Sequence, residues 1–151
     1  MSNLISKKMN ITVVGLGYVG SSIAVLLSKY NKVIALDVIQ EKVDCINNKK
    51  SPIIDKDITK FLANEDLNLS ATLNKEKAYS DADYIVICTP TDFNSETKQF
   101  DTALVKMAIE ESITYNKNAT IVVKSTVPFG FTDMVKSCLL YTSPSPRDQL
   151  Q

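Results

Sequence analysis

The sequence predicts an α/β fold built on a doubly wound parallel sheet, and three observations carry that prediction. Short β-branched runs alternate with longer stretches in which apolar residues recur at helical spacing. The clearest runs, Val33–Leu36 and Ile85–Ile87, are continuously apolar, as in parallel strands buried on both faces, rather than alternating in and out. Each run ends on glycine or a polar residue (Gly15, Asp37, Thr89, Lys124). Alternation of this kind implies right-handed βαβ crossovers.

Taken in order, Ile11–Val14 is a buried strand. Val19, Ile23, Leu26, Leu27 and Tyr30 then form the apolar face of a helix, with Ser21, Ser22 and Lys29 at its other positions and Asn31 supplying the turn. Lys32–Asp37 is a second strand, closed by an acid. Ile39–Asn48 is helical through Val43 and Ile46, and Asn47-Asn48 is its stop signal. Ser51-Pro52 interrupts the pattern. Asp55 is the N-cap of a short helix to Leu62, Leu67–Thr72 a short strand, and Lys75–Tyr79 a helical turn. Tyr84–Cys88 is the clearest central strand, and Asp92–Phe100 reads as a polar loop. Asp101 or Thr102 caps a helix carrying Leu104, Met107, Ala108 and Ile113. Ala119–Val123 is another strand, and Phe131–Lys136 begins one more helix.

The chain has 151 residues, with seventeen basic side chains against seventeen acidic ones. This is single-domain size, large enough to bury a core. The charge balance argues against a nucleic-acid or membrane-surface partner, since either needs a basic excess. No apolar run approaches the ~20 residues that span a bilayer. Met1–Asn10 lacks the apolar stretch of a secretory signal. The three cysteines, Cys45, Cys88 and Cys138, have no metal-like spacing, and histidine is absent. A disulfide framework and a His-ligated zinc site are therefore disfavoured, and no His-based nucleophile pair is available. The expectation is a cytoplasmic domain without a metal.

Residues 138–151 break with the rest. They hold the sole arginine, Arg147, and two of the five prolines. The stretch reads either as a proline-rich linker or as an in-frame translated library adapter, which Cys138–Asp148 resembles. The shift from a Lys-, Asn- and Ile-rich chain to Pro-Ser-Pro-Arg-Asp favours the adapter. Function is accordingly read from residues 1–137, taken as an incomplete domain, with 138–151 as a non-native tail.

Three of the four glycines fall at Gly15, Gly17 and Gly20, a G-x-G-x-x-G between a strand and an amphipathic helix. In the Rossmann-type dinucleotide fold the first allows the tight turn, the second lets a pyrophosphate approach the backbone, and the third lets the helix pack on the sheet. The helix N-terminus then presents unpaired N–H groups to the phosphates. Asp37, closing the second strand, is placed to accept from both hydroxyls of an adenosine ribose and to repel a 2′-phosphate, which points to NAD rather than NADP. The alternative is an acid that only caps its loop. Thr89, Thr91, Ser125 and Thr126 follow two strands at their carboxyl ends, where they either line the nicotinamide-ribose side or cap the following helices. Cys88 reads as a core thiol, and Cys45 has no basic cluster beside it.

Together these segments resemble the N-terminal domain of the UDP-glucose 6-dehydrogenase family, within the UDP-glucose/GDP-mannose dehydrogenase group. The resemblance rests on Val14-Gly15-Leu16-Gly17-Tyr18-Val19-Gly20, on Ala35-Leu36-Asp37 with Lys42-Val43, and on Ile46–Ile53. It continues through Ala82-Asp83-Tyr84, Thr89-Pro90-Thr91-Asp92, Phe100-Asp101-Thr102 and Lys124–Gly130. It implies that Tyr18, Val19, Asp37, Lys42, Thr91 and Thr126 contact NAD, with Lys42 by the adenosine and Thr126 also helping to hold a catalytic water. Phe129 stands where many relatives carry a smaller residue. Family members oxidise a sugar alcohol to a carboxylate in two NAD-dependent steps through a cysteine. That cysteine, with the family's catalytic lysine, asparagine and glutamate, lies beyond the matching stretch, and neither Cys45 nor Cys88 stands at its position.

The resemblance thus implies a parent enzyme, a cytoplasmic homodimer acting on a nucleotide sugar for polysaccharide synthesis. The present chain would be its catalytically inert NAD-binding part, with the sheet stopping before the last of six strands. GDP-mannose or a UDP-N-acetylhexosamine as the sugar, a non-catalytic NAD-binding module, and an NAD-sensing regulatory protein are the alternatives.

Overall fold

The computed structural model describes residues 7–142. Its framework is a five-stranded parallel sheet in the order β3-β2-β1-β4-β7, formed by β1 (Asn10–Val14), β2 (Lys32–Leu36), β3 (Leu69–Thr72), β4 (Tyr84–Ile87) and β7 (Thr120–Val123). β1 is central, with Val13 level with Ala35 on one side and Val86 on the other. The order reverses direction between β1 and β4, which makes their carboxyl ends the switch point where such sheets bind ligands.

Each face of the sheet has its own helical layer. Helices α1 (Tyr18–Ser28), α2 (Gln40–Asn47) and α3 (Lys56–Asn64) cover one face through Val13, Val25, Val33, Val43, Ile58 and Leu62. On the other face α4 (Lys75–Tyr79), α5 (Ala103–Tyr115) and α6 (Phe131–Thr142) pack on Leu36, Ile85, Ile87 and Ile121. Asp55 caps α3 as expected, accepting from the Ile58 N–H at 2.9 Å. At α5 the acceptor is Asp101, which takes the Ala103 N–H at 3.0 Å, while the Thr102 hydroxyl caps nothing. Asn47 does more than stop α2. Its side-chain amide donates to the Ala71 carbonyl and accepts from the Ala71 N–H, which satisfies the outer edge of β3 as a neighbouring strand would.

Two expectations need correction. The apolar face assigned to α1 is not the buried one: Val19, Leu26 and Tyr30 are 52%, 58% and 76% exposed, and Ile23 and Leu27 are only partly buried. The buried residues are Gly20, Ser21, Ala24, Val25 and Ser28, with Ile23 and Leu27 packed at the margin of the core. The start of α1 lies so close to the first turn that Gly20 admits no side chain. Residues 92–100 are not all loop, because β5 (Phe93–Asn94) and β6 (Gln99–Phe100) form a hairpin. Asn94 accepts two turn N–H groups, Lys98 takes a positive φ of 54°, and Phe93 meets Phe100 edge-on at 5.1 Å. The helix expected to begin at Phe131 does so, and α6 continues to Thr142, since no proline interrupts it before Pro144. Residues 1–6 and 143–151, including most of the stretch set apart by composition, lie outside the described residues.

Candidate functional site

At the carboxyl ends of β1, β2, β4 and β7 lies a cavity of about 590 Å³. Its floor is the turn between β1 and α1. Gly15 adopts φ +99°, and a Cβ there would stand 2.8 Å from the Cys88 carbonyl oxygen, so both its conformation and its surroundings demand glycine. A Cβ on Gly20 would stand 1.7 Å from the Gly15 oxygen. Above Gly17, by contrast, nothing lies within 4 Å of that position. Gly17 is the N-cap of α1 but offers no side chain to its first turn, and no acid occupies that turn. The N-terminus of α1 therefore faces the cavity with N–H groups uncapped by side chains, beside an open backbone. This suits a diphosphate.

Asp37 splints this turn. One carboxylate oxygen accepts from the Leu16 N–H at 2.7 Å and the other from the Ile39 N–H at 2.9 Å. Leu16 is itself fully buried, and Gly15 N–H donates to the Leu36 carbonyl at 2.8 Å. The capping role weighed for Asp37 is thus real, and the same carboxylate still lines the cavity. Sequence posed the two roles as rivals. The residue that caps the loop also faces the cavity.

The opposite wall comes from the segments after β4 and β7. Ser125 joins them: its hydroxyl donates to the Thr89 carbonyl at 2.6 Å, while the Lys124 and Ser125 N–H groups both reach the Ile87 carbonyl. Thr89 and Thr91 are half-buried and Thr126 is exposed. Gly15, Gly17, Tyr18, Val19, Asp37, Lys42, Thr89, Thr91 and Thr126 all line the cavity. Gly20 does not. It sits behind the turn, where its absent side chain lets α1 approach, so it shapes the site without facing it.

Cys88 is half-buried and lines the same cavity rather than lying wholly in the core. Burial pushes its thiol up to about 11, with Lys124 opposing. Among the described residues no group of three or more His, Cys, Asp or Glu side chains could hold a metal ion, and no helix is long and apolar enough to cross a membrane.

One end of the cavity escaped the sequence reading. Leu73 comes from the turn before α4, Lys75 and Tyr79 from the two ends of α4, and Leu104, Met107 and Glu111 from α5. Lys75 and Glu111 form an ion pair at 2.5 Å. The Tyr79 hydroxyl is buried beside Ser112 and Glu111 without a hydrogen bond of regular geometry, and burial, then the Glu111 charge, raises its phenol above the usual range. Thirty-six residues separate Lys75 from Glu111, and helical periodicity alone does not pair them.

Comparison with known proteins agrees with this geometry. Residues 9–149 match the UDP-glucose/GDP-mannose dehydrogenase family, NAD binding domain. The chain is 47% identical over 128 residues to UDP-glucose 6-dehydrogenase of Streptococcus pneumoniae, covering 85% of this chain and 32% of that protein. It is 42% identical over 130 residues to the Campylobacter jejuni enzyme of the same name, covering 85% and 33%. A crystal structure of a ternary complex of GDP-mannose dehydrogenase from Pseudomonas aeruginosa superposes with a TM-score of 0.74 at 31% identity, covering 86% of this chain and 32% of that one. The chain thus spans about a third of the length of the relatives it matches. An uncapped helix N-terminus over an open glycine turn, an acid at the end of the second strand and the family match converge: this chain belongs to the UDP-glucose/GDP-mannose dehydrogenase family, as its NAD-binding domain.

Proposed function

We propose that the chain is the cofactor-holding part of a UDP-glucose 6-dehydrogenase and has no dehydrogenase activity alone. The observation that carries the sugar assignment is the order of likeness: relatives named for UDP-glucose stand above those named for GDP-mannose or UDP-N-acetyl-D-mannosamine. Bound NAD supplies the hydride acceptor. The turn at Gly15–Gly17 and the N-terminus of α1 hold its diphosphate, Asp37 holds the adenosine ribose, and Lys42 lies by the adenosine. Tyr18 and Val19 border the mouth. Thr89, Thr91 and Thr126 line the nicotinamide side, where Thr126 also orients a reacting water in an auxiliary role.

Oxidation needs an alcohol held against the nicotinamide ring. In this reading the surface that holds the sugar, the reacting cysteine and the dimer contact belong to the remaining two-thirds that relatives of this family carry, and the parent enzyme works in the cytoplasm. Calorimetry of residues 1–151 with NAD is expected to show binding, and the same sample with UDP-glucose and NAD no NADH absorbance. Turnover by this chain alone would overturn the inert-part assignment. For the sugar, the longer natural protein from the same source is assayed with UDP-glucose, GDP-mannose and UDP-N-acetylmannosamine. A higher kcat/KM for either of the latter two would replace UDP-glucose.

A further inference from the structure

The Lys75–Glu111 pair has no part in the reading above, although it lines the same cavity. A ribose held at Asp37 leaves its base two directions. One leads across the glycine turn toward Thr126, which the rest of the dinucleotide takes. The other leads toward the lining that α4 and α5 supply, which includes Leu73, Leu104, Met107, Lys75 and Glu111. The apolar side chains suit a flat ring, and the ion pair is a polar, charged group lining the same cavity. Lys75 and Glu111 are 42% and 23% exposed, so the pair is partly shielded from water.

An ammonium only donates and a carboxylate only accepts, so the pair presents one donor beside one acceptor in an order set by α4 and α5. The Watson–Crick edge of adenine presents the converse, an acceptor at N1 and a donor at the 6-amino group. A 6-oxo purine exchanges the two, placing a donor at N1 and an acceptor at position 6. One Glu111 oxygen is engaged by Lys75, and with the Tyr79 hydroxyl beside it the carboxylate still has lone pairs to accept from a ligand. We propose that Lys75 and Glu111 read the purine edge of the dinucleotide and select a 6-amino over a 6-oxo base.

This rests on NAD occupying the cavity, and the test separates the two claims. NAD and nicotinamide hypoxanthine dinucleotide are titrated into residues 1–151 by calorimetry. The unaltered chain is expected to prefer NAD by about tenfold, roughly one well-placed hydrogen bond in a half-shielded site. Glu111→Gln, whose amide both donates and accepts, is expected to bring the ratio near one while NAD itself still binds. Equal affinity of the unaltered chain for both dinucleotides would overturn the base-reading role and leave the cofactor assignment intact. So would an unchanged ratio in Glu111→Gln. Binding of neither dinucleotide would overturn the assignment of the cavity to NAD, and the base-reading role with it. The ratio in the unaltered chain needs no variant, so a Glu111→Gln chain that fails to fold leaves the test decisive.

Discussion

The two walls of the cavity are built from different materials. On the β1–β2 side, backbone meets backbone or a single carboxylate: Gly15 to Leu36, Leu16 and Ile39 to Asp37, and a Gly20 so close that no methyl fits. On the β4–β7 side, rotatable hydroxyls line the space, and one serine ties the two segments together. Main-chain geometry is common to all residues except where a Cβ or a special φ intrudes, so the first wall tolerates few residue types. The second tolerates many. Substitutions should therefore damage folding and binding together on the first wall, and binding more selectively on the second.

The sharpest way to break this contrast lies within the glycine turn. Gly20→Ala places a methyl 1.7 Å from the Gly15 oxygen, and the backbone has to move. A loss of about 3 kcal/mol or more is expected in urea unfolding, at or above the top of the overpacking range, with NAD binding lost. Gly17→Ala meets nothing within 4 Å. It should keep its unfolding midpoint and still bind NAD at least tenfold more weakly, because the methyl occupies the approach of the diphosphate. Equal loss of stability in the two variants would show that the open side of Gly17 is not kept for a ligand.

Asp37→Ala ranks next. Two N–H groups lose a charged acceptor, so about 2 kcal/mol of stability should go. NAD binding should weaken by roughly ten- to a hundredfold, and the preference over NADP should relax. Titrating both cofactors checks this. An unchanged preference would confine Asp37 to its role as a splint.

The first wall was the more legible in sequence for the same reason that it is fragile. Glycine at Gly15 and Gly20 is demanded by sterics, so its spacing appears directly in the residue string. The acid at Asp37 follows from the end of a strand that apolar continuity already marks. The interior of α1 was misread because the rule that bulky apolar residues face the core assumes ordinary helix–sheet spacing. Here Gly20 brings the start of α1 against the turn, mostly small residues with Val25 take the sheet side, and Leu26 and Tyr30 face outward. The second wall left Thr89 and Thr126 undecided, since a hydroxyl after a strand caps a helix or lines a site with equal chemical ease. Lys75 and Glu111 were missed altogether, because their pairing depends on how α4 meets α5, which no local pattern records.

On the second wall, Ser125→Ala removes the hydroxyl that holds the Thr89 carbonyl at 2.6 Å. About 1 kcal/mol of stability should be lost. NAD affinity should fall several-fold while ADP-ribose, which lacks the nicotinamide, binds unchanged. A matched fall for both ligands would mean that Ser125 supports the whole cavity and that the walls are not independent.

The smallest effect sits where the walls meet, at Cys88, whose carbonyl abuts Gly15 and whose thiol faces Lys124. Burial holds the folded thiol up at about 11 against an ordinary 9.0. Below pH 9 both folded and unfolded chains keep the proton, and the shift contributes nothing to pH dependence. Between pH 9 and 11 the unfolded chain releases it and the folded chain does not, so the unfolded state binds fewer protons and stability falls as pH rises. Above 11 the difference levels off. Subtracting the urea-unfolding curve of Cys88→Ala from that of the unaltered chain cancels the lysines and Tyr79 and leaves this one group. The difference should be flat to pH 9 and decline above it. Lys124 opposes the burial effect, so Lys124→Met should move the folded-state inflection higher still. An unmoved inflection would show that the ammonium does not act on the thiol, and that burial alone sets its range.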